Sequence, residues 1–211
     1  MSTTSQVLLV FAREPVPGQV KTRLIPAVGA EQATQIYQRL LRHALDVTSR
    51  IENCDVQLWC DTLDGGLHCL SLSDEFHVPL LQQSGAGLGE RMSVAIDQAL
   101  RTHERVVIIG SDCPGYGQEY IQQAFNALSN HDVVLGPADD GGYVLIGMNR
   151  PQPELFLAMP WGTEQVLAIT RERLQKLDRT WFEMPVLRDV DRPDDLIFYK
   201  DFFRGFDEKL D

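Results

Sequence analysis

The fold prediction starts from residues 106–114, Val106-Val-Ile-Ile-Gly-Ser-Asp-Cys-Pro114. Four apolar residues precede a turn sequence, and a short apolar run of this kind is typical of a parallel strand buried on both faces. In open α/β sheets, ligands bind just beyond the carboxyl ends of the strands, which is where Asp112 is expected to lie. One carboxylate together with substrate phosphates is a common way to hold Mg²⁺. Alternatively, Asp112 only caps a helix that begins near Gly117 or shapes the turn before Pro114.

Length and composition predict an ordinary globular protein. The 211 residues suffice for one domain with a full core, expected to span residues 1–211. The net charge of −11 argues against binding to nucleic acid or to an anionic membrane surface. The sequence offers neither a signal-peptide pattern nor an apolar run of the roughly 18 residues that span a bilayer, so we expect a cytoplasmic protein. The 4 cysteines form no C-x-x-C pair and are expected to be free structural thiols.

Strand and helix patterns alternate along the chain. Apolar runs predict strands at residues 6–12, 56–60, 78–82, 106–109, 132–135 and 144–147. Helical periodicity predicts helices at residues 31–50, 88–100, 119–128 and 166–177, the last of them capped by Thr163. After a turn at 61–66 a weak helix is expected to run to about Leu72, and a strand within 185–193 precedes a helix from about Asp194. This order predicts an α/β fold, a Rossmann-like α/β/α sandwich with a mostly parallel central sheet.

A basic loop, residues 13–23, follows the first predicted strand. Its prolines limit its flexibility, and Gly18 permits a close backbone approach. Arg13, Lys21 and Arg23 place positive charge at the end of the strand, as binding of a polyphosphate requires. The loop lacks the Walker A pattern. The alternative is a solvated surface loop.

Three further turns carry glycines or carboxylates. Residues 84–91 lead three glycines into a helix, where backbone N–H groups can face a ligand or simply form a tight turn. Residues 136–143, Gly136-Pro-Ala-Asp-Asp-Gly-Gly-Tyr143, form a second acidic turn after a core strand. Asp189 and Asp191 alternate, so in a strand they would share one face; alternatively, they cap the next helix. Two acidic turns and a basic loop together indicate a site.

Six motifs occur in order along nearly the whole chain. They are F-A-R-E-P-V-P-G-Q-V-K-T-R-L (11–24), G-L-G-E-R-M (87–92), I-G-S-D-C-P (109–114), G-P-A-D-D-G-G-Y-V-L-I-G (136–147), P-W-G-T (160–163) and D-V-D-R-P-D-D-L (189–196). In these motifs the sequence resembles the bacterial glycosyltransferase-like branch of the GT-A-fold nucleotide-diphospho-sugar transferase superfamily, whose members are often labelled radical-SAM-associated transferases. Its wider relatives include molybdopterin cytidylyl- and guanylyltransferases.

The resemblance implies a nucleotide site with a divalent metal, Mg²⁺ or Mn²⁺. Asp112 matches the metal-binding acid, and Asp189 or Asp191 matches an acidic motif that completes the metal shell in some relatives. Lys21 and Arg23 would stabilise the leaving phosphate, and Asp140, in a turn that the resemblance places on the acceptor side, is our candidate for a general base. The implied nucleotide-binding set is Ala12, Arg13, Gly18, Lys21, Arg23, Gly87, Leu88, Gly89, Arg91, Ser111 and Asp112.

Two departures from the family patterns bear on the reaction. The L-A-G-G-x-G-x-R loop of nucleotidyltransferases is absent after the first strand, and Asp112 is followed by Cys113-Pro114 where many glycosyltransferases have Asp-x-Asp. Because the nucleotidyltransferase loop is missing, transfer of a glycosyl group from a nucleotide-sugar to a small-molecule acceptor is favoured. The alternatives are nucleotidyl transfer from a nucleoside triphosphate, with release of pyrophosphate, and a non-catalytic nucleotide-binding module. The sequence gives no indication of the oligomeric state.

Overall fold

A seven-stranded sheet forms the centre of the computed structural model, which describes residues 5–62 and 67–204. The strands are β1 (Gln6–Ala12), β2 (Asp55–Cys60), β3 (Leu80–Gln82), β4 (Arg105–Gly110), β5 (Val133–Pro137), β6 (Tyr143–Met148) and β7 (Trp181–Glu183). Their order in the sheet is β3-β2-β1-β4-β6-β5-β7. Strand β6 pairs antiparallel with β4 and β5, and the other pairings are parallel. The predicted α/β class with a mostly parallel sheet is confirmed.

Helices cover both faces of this sheet. They are α1 (Ile25–Val28), α2 (Ala30–Thr48), α3 (Leu67–Phe76), α4 (Leu88–Ala99), α5 (Gln118–Ala127), α6 (Val166–Lys176) and α7 (Pro193–Phe198), with a 3-10 turn at Pro153–Leu155. Apolar residues of α2, α3 and α5 pack on one face, and those of α4 and α6 pack on the other. None of the helices in the described ranges is long and apolar enough to cross a membrane.

Strand β1 shows why the sheet is buried on both sides. Leu8 and Val10 pack into the α2–α5 layer, whereas Val7 and Leu9 pack into the α4 layer, because successive side chains of a strand point to opposite faces. A strand covered on both faces therefore appears in the sequence as a continuous apolar run rather than an alternating one. Strand β4 follows the same pattern directly beside β1.

The chain order of the strands creates a crevice between β1 and β4. From β1 the chain builds outward through β2 and β3, then returns to add β4 on the opposite side of β1. At such a topological switch point the connections leave in opposite directions, and ligands bind beyond the carboxyl ends of the strands. Because β6 runs antiparallel to β4, its first residues lie at this same edge.

Several local predictions need correction. The helix of residues 166–177 is not capped by Thr163: α6 begins at Val166, with Gln165 at the N-cap, and the Thr163 hydroxyl donates to Pro160 O at 2.8 Å. Residues 185–193 contain no regular strand, since only Leu187 makes an isolated bridge, to Ala138. The third strand starts at Leu80 rather than 78, and part of the turn predicted at 61–66 lies outside the described residues.

Candidate active site

A cleft of about 750 Å³ opens at the carboxyl edge of β1 and β4. It is lined by most residues of the predicted site: Ala12, Arg13, Lys21, Arg23, Gly87, Leu88, Arg91, Ser111, Asp112, Asp140, Asp189 and Asp191. Gly18 and Gly89 are not among its lining residues in the part of the chain that the structure describes. Gly89 instead faces Phe156 and Trp161, where an added Cβ would lie 2.7 Å from Phe156 O. Residues far apart in the chain thus meet in one place.

Lys21 and Asp112 form the central contact of the cleft. Lys21 Nζ lies 3.0 Å from Asp112 Oδ2, and the lysine side chain is only 6% exposed. Lys21 has a left-handed backbone, φ 46°, an uncommon conformation for a residue with a side chain. Helix α5 has Gly117 at its N-cap with no side-chain cap, so the alternative role of Asp112 as a capping residue is wrong. Asp112 is instead a site carboxylate facing a buried ammonium.

A second ion pair closes the outer part of the basic loop. The guanidinium of Arg23 hydrogen-bonds to the carboxylate of Asp191, and this contact raises the pKa of Arg23 above its ordinary value. Asp191 and Asp189 do not cap α7, because Asp195 accepts hydrogen bonds from the backbone N–H groups of residues 191 and 192, at 2.9 and 2.7 Å. Neither carboxylate is therefore used for capping, and both line the cleft, with Asp191 paired to Arg23.

Asp189 shows the electrostatic character of the acidic side. Its burial raises its pKa, the charges of Asp112 and Asp140 raise it further, and Lys21 partly opposes them, so the pKa reaches about 7. Oxygen ligands crowded with negative charge fit a divalent cation, which prefers carboxylates. Asp189 is within the electrostatic influence of Asp112, whereas Asp191 is paired with Arg23. The three ligand atoms that do approach one another within 4.8 Å in the described residues belong to Glu14, Cys60 and Cys69, not to the three aspartates.

Arg13 and Ser111 have structural partners within the site. The Arg13 side chain lies 3.3 Å from Asp61, and its backbone N–H donates to Tyr37 Oη at 2.8 Å. Tyr37 Oη also lies 2.8 Å from Ser111 Oγ, so this α2 residue ties the ends of β1 and β4 together. The sequence pattern places Tyr37 only within the helix predicted at residues 31–50. Its hydroxyl within an otherwise apolar helix face is the signal that could have identified it.

Gln83 is a further cleft residue that the sequence analysis missed. Its side chain is nearly buried and donates from Nε2 to two backbone carbonyls, Ala12 O at 2.9 Å and Trp59 O at 2.8 Å. Because both N–H groups are used, the amide orientation is fixed by its partners and Oε1 is left as an acceptor. A polar residue directly after a short strand and before a glycine-rich turn was the available signal.

The glycine-rich turn before α4 is held by its own helix. Gly87 is the N-cap, Glu90 accepts from Ala86 N at 2.8 Å, and Arg91 Nε donates to Gly85 O at 3.2 Å. A side chain at Gly85 would not fit, because an added Cβ would lie 2.9 Å from Arg91 N. The turn is therefore rigid where Gly87 lines the cleft.

The second acidic turn forms the opposite rim. Asp140 Oδ1 accepts from Gly142 N at 2.8 Å, which fixes the orientation of an exposed carboxylate. Gly141 has φ 87° and packs directly on Glu164, and its carbonyl accepts from Leu167 N at 2.9 Å. Trp161, for which the sequence is compatible with either a core position or a contact with an acceptor, packs edge-to-face on Tyr143 and also lines the cleft.

Cys113, beside Asp112, is not placed as a nucleophile. Burial raises the pKa of its thiol to about 12, so the reactive thiolate is disfavoured at neutral pH. Its Sγ instead donates to Arg188 O at 3.2 Å. The Cys113 thiol is therefore held as a buried structural group rather than as a nucleophile facing the cleft.

The fold is that of the nucleotide-diphospho-sugar transferase class. A structure from Desulfovibrio desulfuricans G20, provisionally described as a nucleotide-diphospho-sugar transferase, has a TM-score of 0.85 and 30% identity, covering 98% of this chain and 91% of that one. The residue pattern at 29–163 matches the model of the family described as "uncharacterized protein conserved in bacteria (DUF2064)". The chain belongs to this family.

Two more distant structures share the fold at low identity. The 4-diphosphocytidyl-2C-methyl-D-erythritol synthase of Anaerococcus prevotii DSM 20548 has a TM-score of 0.62 and 13% identity, covering 96% of this chain and 98% of that one. The glucosyl-3-phosphoglycerate synthase of Mycobacterium tuberculosis, in complex with Mn²⁺, UDP and glucosyl-3-phosphoglycerate, has a TM-score of 0.53 and 10% identity, covering 92% and 75%. No curated protein matches the sequence.

Proposed function

We propose that the protein is a metal-dependent transferase that takes a nucleotide-diphospho-sugar as donor and transfers the sugar to a small-molecule acceptor. The observation that carries the proposal is the pairing of a basic loop with carboxylates at the carboxyl ends of β1 and β4, where Lys21 faces Asp112 and Arg23 faces Asp191. A diphosphate needs such cations, and a divalent ion needs such carboxylates.

Each charged residue has a separate task in this proposal. Lys21 and Arg23 exchange their carboxylate partners for phosphate oxygens, and so stabilise the negative charge that grows on the departing nucleoside diphosphate. Asp112, with Asp189, would hold Mg²⁺ or Mn²⁺, which supplies further positive charge to the diphosphate as a Lewis acid. Gln83 and the turn at Gly87 line the same cleft, and in this proposal they orient the donor.

Asp140 is proposed to act on the acceptor. Its Oδ1 is held by Gly142 N, while Oδ2 has no hydrogen-bond partner among the described residues and can take a proton from an acceptor hydroxyl. The wall beside it is formed by Tyr143, Trp161 and Thr163, which offer an aromatic edge and a hydroxyl to a small polar molecule.

Nucleotidyl transfer is the second candidate, and one observation favours it. The chain matches 98% of the length of the Anaerococcus cytidylyl-type synthase but only 75% of the Mycobacterium glucosyl-type synthase. The products separate the two reactions. A nucleoside diphosphate released from a nucleotide-sugar indicates glycosyl transfer, whereas pyrophosphate released from a triphosphate indicates nucleotidyl transfer.

The first experiment is a thermal-shift screen of nucleoside di- and triphosphates and nucleotide-sugars, with and without Mn²⁺. A donor at about a hundred times its Kd should stabilise the protein by roughly 2.7 kcal/mol, and the stabilisation should require metal. Asp112→Asn should lose the metal-dependent part of the shift and turnover. Asp46→Asn, a matched change in a surface pair with Arg50, should behave as wild type.

Three results would overturn parts of this proposal. Full turnover by Asp112→Asn would exclude the metal assignment. Metal-dependent binding of a donor without turnover over a broad acceptor panel would point to a non-catalytic nucleotide-binding module. A folded protein that no nucleotide stabilises would share only the fold with the transferases.

A further inference from the structure

Two cysteines outside the cleft lie in direct contact. Cys60 is the last residue of β2, Cys69 lies in the first turn of α3, and both side chains are fully buried. Their Sγ atoms are 2.9 Å apart, closer than two unbonded sulfur atoms normally approach. The two cysteines do not have C-x-x-C spacing, so only the fold brings these thiols together.

The surroundings hold both sulfur atoms in place. The carboxylate of Glu14 accepts hydrogen bonds from two backbone N–H groups in the first turn of α3, those of His68 and Cys69, at 2.9 and 3.1 Å. Asp61, directly after Cys60, accepts from Glu14 N at 2.8 Å. The contact between strand and helix is therefore fixed from both sides, which favours bond formation with little movement of the backbone.

The buried environment favours a disulfide over a bound cation. Both cysteines belong to the hydrophobic core on the α2–α5 side of the sheet. Two thiolates and the Glu14 carboxylate around a divalent cation would leave net negative charge in that core, which is costly. A disulfide is neutral and apolar, and it replaces two thiols whose other hydrogen bonds are long, at 3.8 Å.

We propose that Cys60 and Cys69 form a reversible disulfide when the protein meets a peroxide. Cys60 Sγ attacks one oxygen of hydrogen peroxide, the O–O bond breaks, and a sulfenic acid and one water result. Cys69 Sγ then attacks that sulfur, forming the S–S bond, and the sulfenic oxygen leaves as a second water with the thiol protons. The two thiols lose two electrons and two protons in total, and the peroxide gains them.

The order of attack follows from the contact itself. The contact between the two sulfur atoms lowers the pKa of the Cys60 thiol and raises that of the Cys69 thiol. Cys60 is therefore the member of the pair that more readily becomes the thiolate.

The bond would join the end of β2 to the start of α3 next to the basic loop. Asp61, adjacent to Cys60, also holds the Arg13 side chain, which lines the cleft. Oxidation should therefore stiffen the wall that carries Arg13. We expect slower amide hydrogen exchange in the first turn of α3 and a rise in melting temperature of roughly 5 °C.

The test is peptide mapping of the native protein under non-reducing conditions, before and after treatment with hydrogen peroxide. We expect a peptide joining Cys60 to Cys69, a loss of about 2 Da, and reversal by dithiothreitol. Cys69→Ser should form no such peptide, whereas Cys54→Ser and Cys113→Ser should form it as wild type does. The wild-type map decides the question even if Cys69→Ser folds poorly.

Two results would overturn the proposal. One is a folded, peroxide-treated protein that keeps both Cys60 and Cys69 as thiols while Cys54, the half-buried cysteine, is oxidised. The other is stoichiometric zinc in the purified protein that is lost in Cys69→Ser, which would assign Glu14, Cys60 and Cys69 to a metal site instead.

Discussion

At the scale of single residues, the cleft is governed by charge pairs across the carboxyl edge of the sheet. Lys21 is almost completely removed from solvent, yet its countercharge Asp112 is 36% exposed. The ammonium therefore screens a group of carboxylates, including Asp189, whose pKa it holds down against the effects of burial and of its acidic neighbours. In the proposed function, Lys21 would compete with the metal ion for Asp112 and would also bind a phosphate.

Replacing Lys21 should separate these two effects. In Lys21→Met, Mn²⁺ should bind more tightly in the absence of nucleotide, by about 1 kcal/mol or roughly fivefold, because the competing charge is gone. Nucleotide affinity should fall at least tenfold, because a phosphate ligand is lost. Both can be measured by isothermal titration calorimetry.

Lys21→Arg is the matched control, since it keeps the charge. It should leave Mn²⁺ affinity close to that of wild type. Equal Mn²⁺ affinities in all three proteins would mean that Lys21 does not compete for the acidic side of the cleft.

At the scale of elements, the second acidic turn and helix α6 form one unit. Gly141 packs so closely on Glu164, in the segment just before α6, that an added Cβ would lie 2.3 Å from Glu164 O, and its φ of 87° already disfavours a side chain. The turn that carries Asp140 is thus positioned by backbone contact with the segment leading into the helix, not by side-chain packing.

Gly141→Ala should lower the free energy of unfolding by roughly 2–4 kcal/mol in urea denaturation, through both strain and a backbone clash. Gly162→Ala is the matched control: Gly162 also has positive φ, 78°, but an added Cβ would meet nothing within 4 Å. It should lose only about 1 kcal/mol. Equal losses in the two variants would show that the backbone strain alone, and not the contact with Glu164, determines the cost.

Much of the element pattern could be predicted from sequence, and the reasons are physical. Strands β1 and β4 are buried on both faces, so their apolar runs identify them without reference to the rest of the chain. The strand predicted within residues 185–193 was wrong. Asp189 and Asp191 lie in an irregular stretch whose course is set by contacts with the end of β5 and with α7, and not by the alternation of residues along the stretch.

The candidate site was predictable in outline but not in its contacts. The ends of the predicted strands indicate the edge of the sheet at which Asp112 and Lys21 come together. Which charged side chains pair with each other depends on local backbone conformation, such as the left-handed conformation of Lys21, and the sequence pattern does not reveal it. The contributions of Gln83 and Tyr37 to the site were missed because their hydrogen-bond partners are distant in sequence. These carbonyl and hydroxyl groups come close to the two side chains only in the folded structure.

At the scale of the whole molecule, an ion pair links α6, a helix that packs on one face of the sheet, to β7, the last strand in the sheet order. Arg171 of α6 makes two hydrogen bonds to Glu183 of β7, at 2.8 and 2.7 Å. These bonds hold the pKa of Glu183 below its ordinary value. A carboxyl group with a lowered folded-state pKa stabilises the protein above its unfolded pKa, near 4.5, and this contribution is lost as the pH falls through the folded pKa.

Glu183→Gln should therefore be less stable than wild type by about 1 kcal/mol at pH 7, and the difference should vanish toward pH 3. Urea denaturation at several pH values measures it. Glu172→Gln removes an exposed pair with Lys176 on the same helix and should cost less at pH 7. A difference between Glu183→Gln and wild type that persists unchanged at pH 3 would contradict an ionic origin.

The contact between Lys21 and Asp112 also bears on how quickly the protein could work through successive substrates. In the proposed reaction, an incoming donor would not meet bare charges. It would trade places with a carboxylate that is already bonded to the lysine, and the carboxylate would recover its partner when the product departs. The contribution of Lys21 to affinity is then smaller than the full strength of its bond to phosphate, because its bond to Asp112 has to be given up. A site arranged in this way holds its anionic ligand modestly and releases a charged product readily, which suits repeated turnover better than storage.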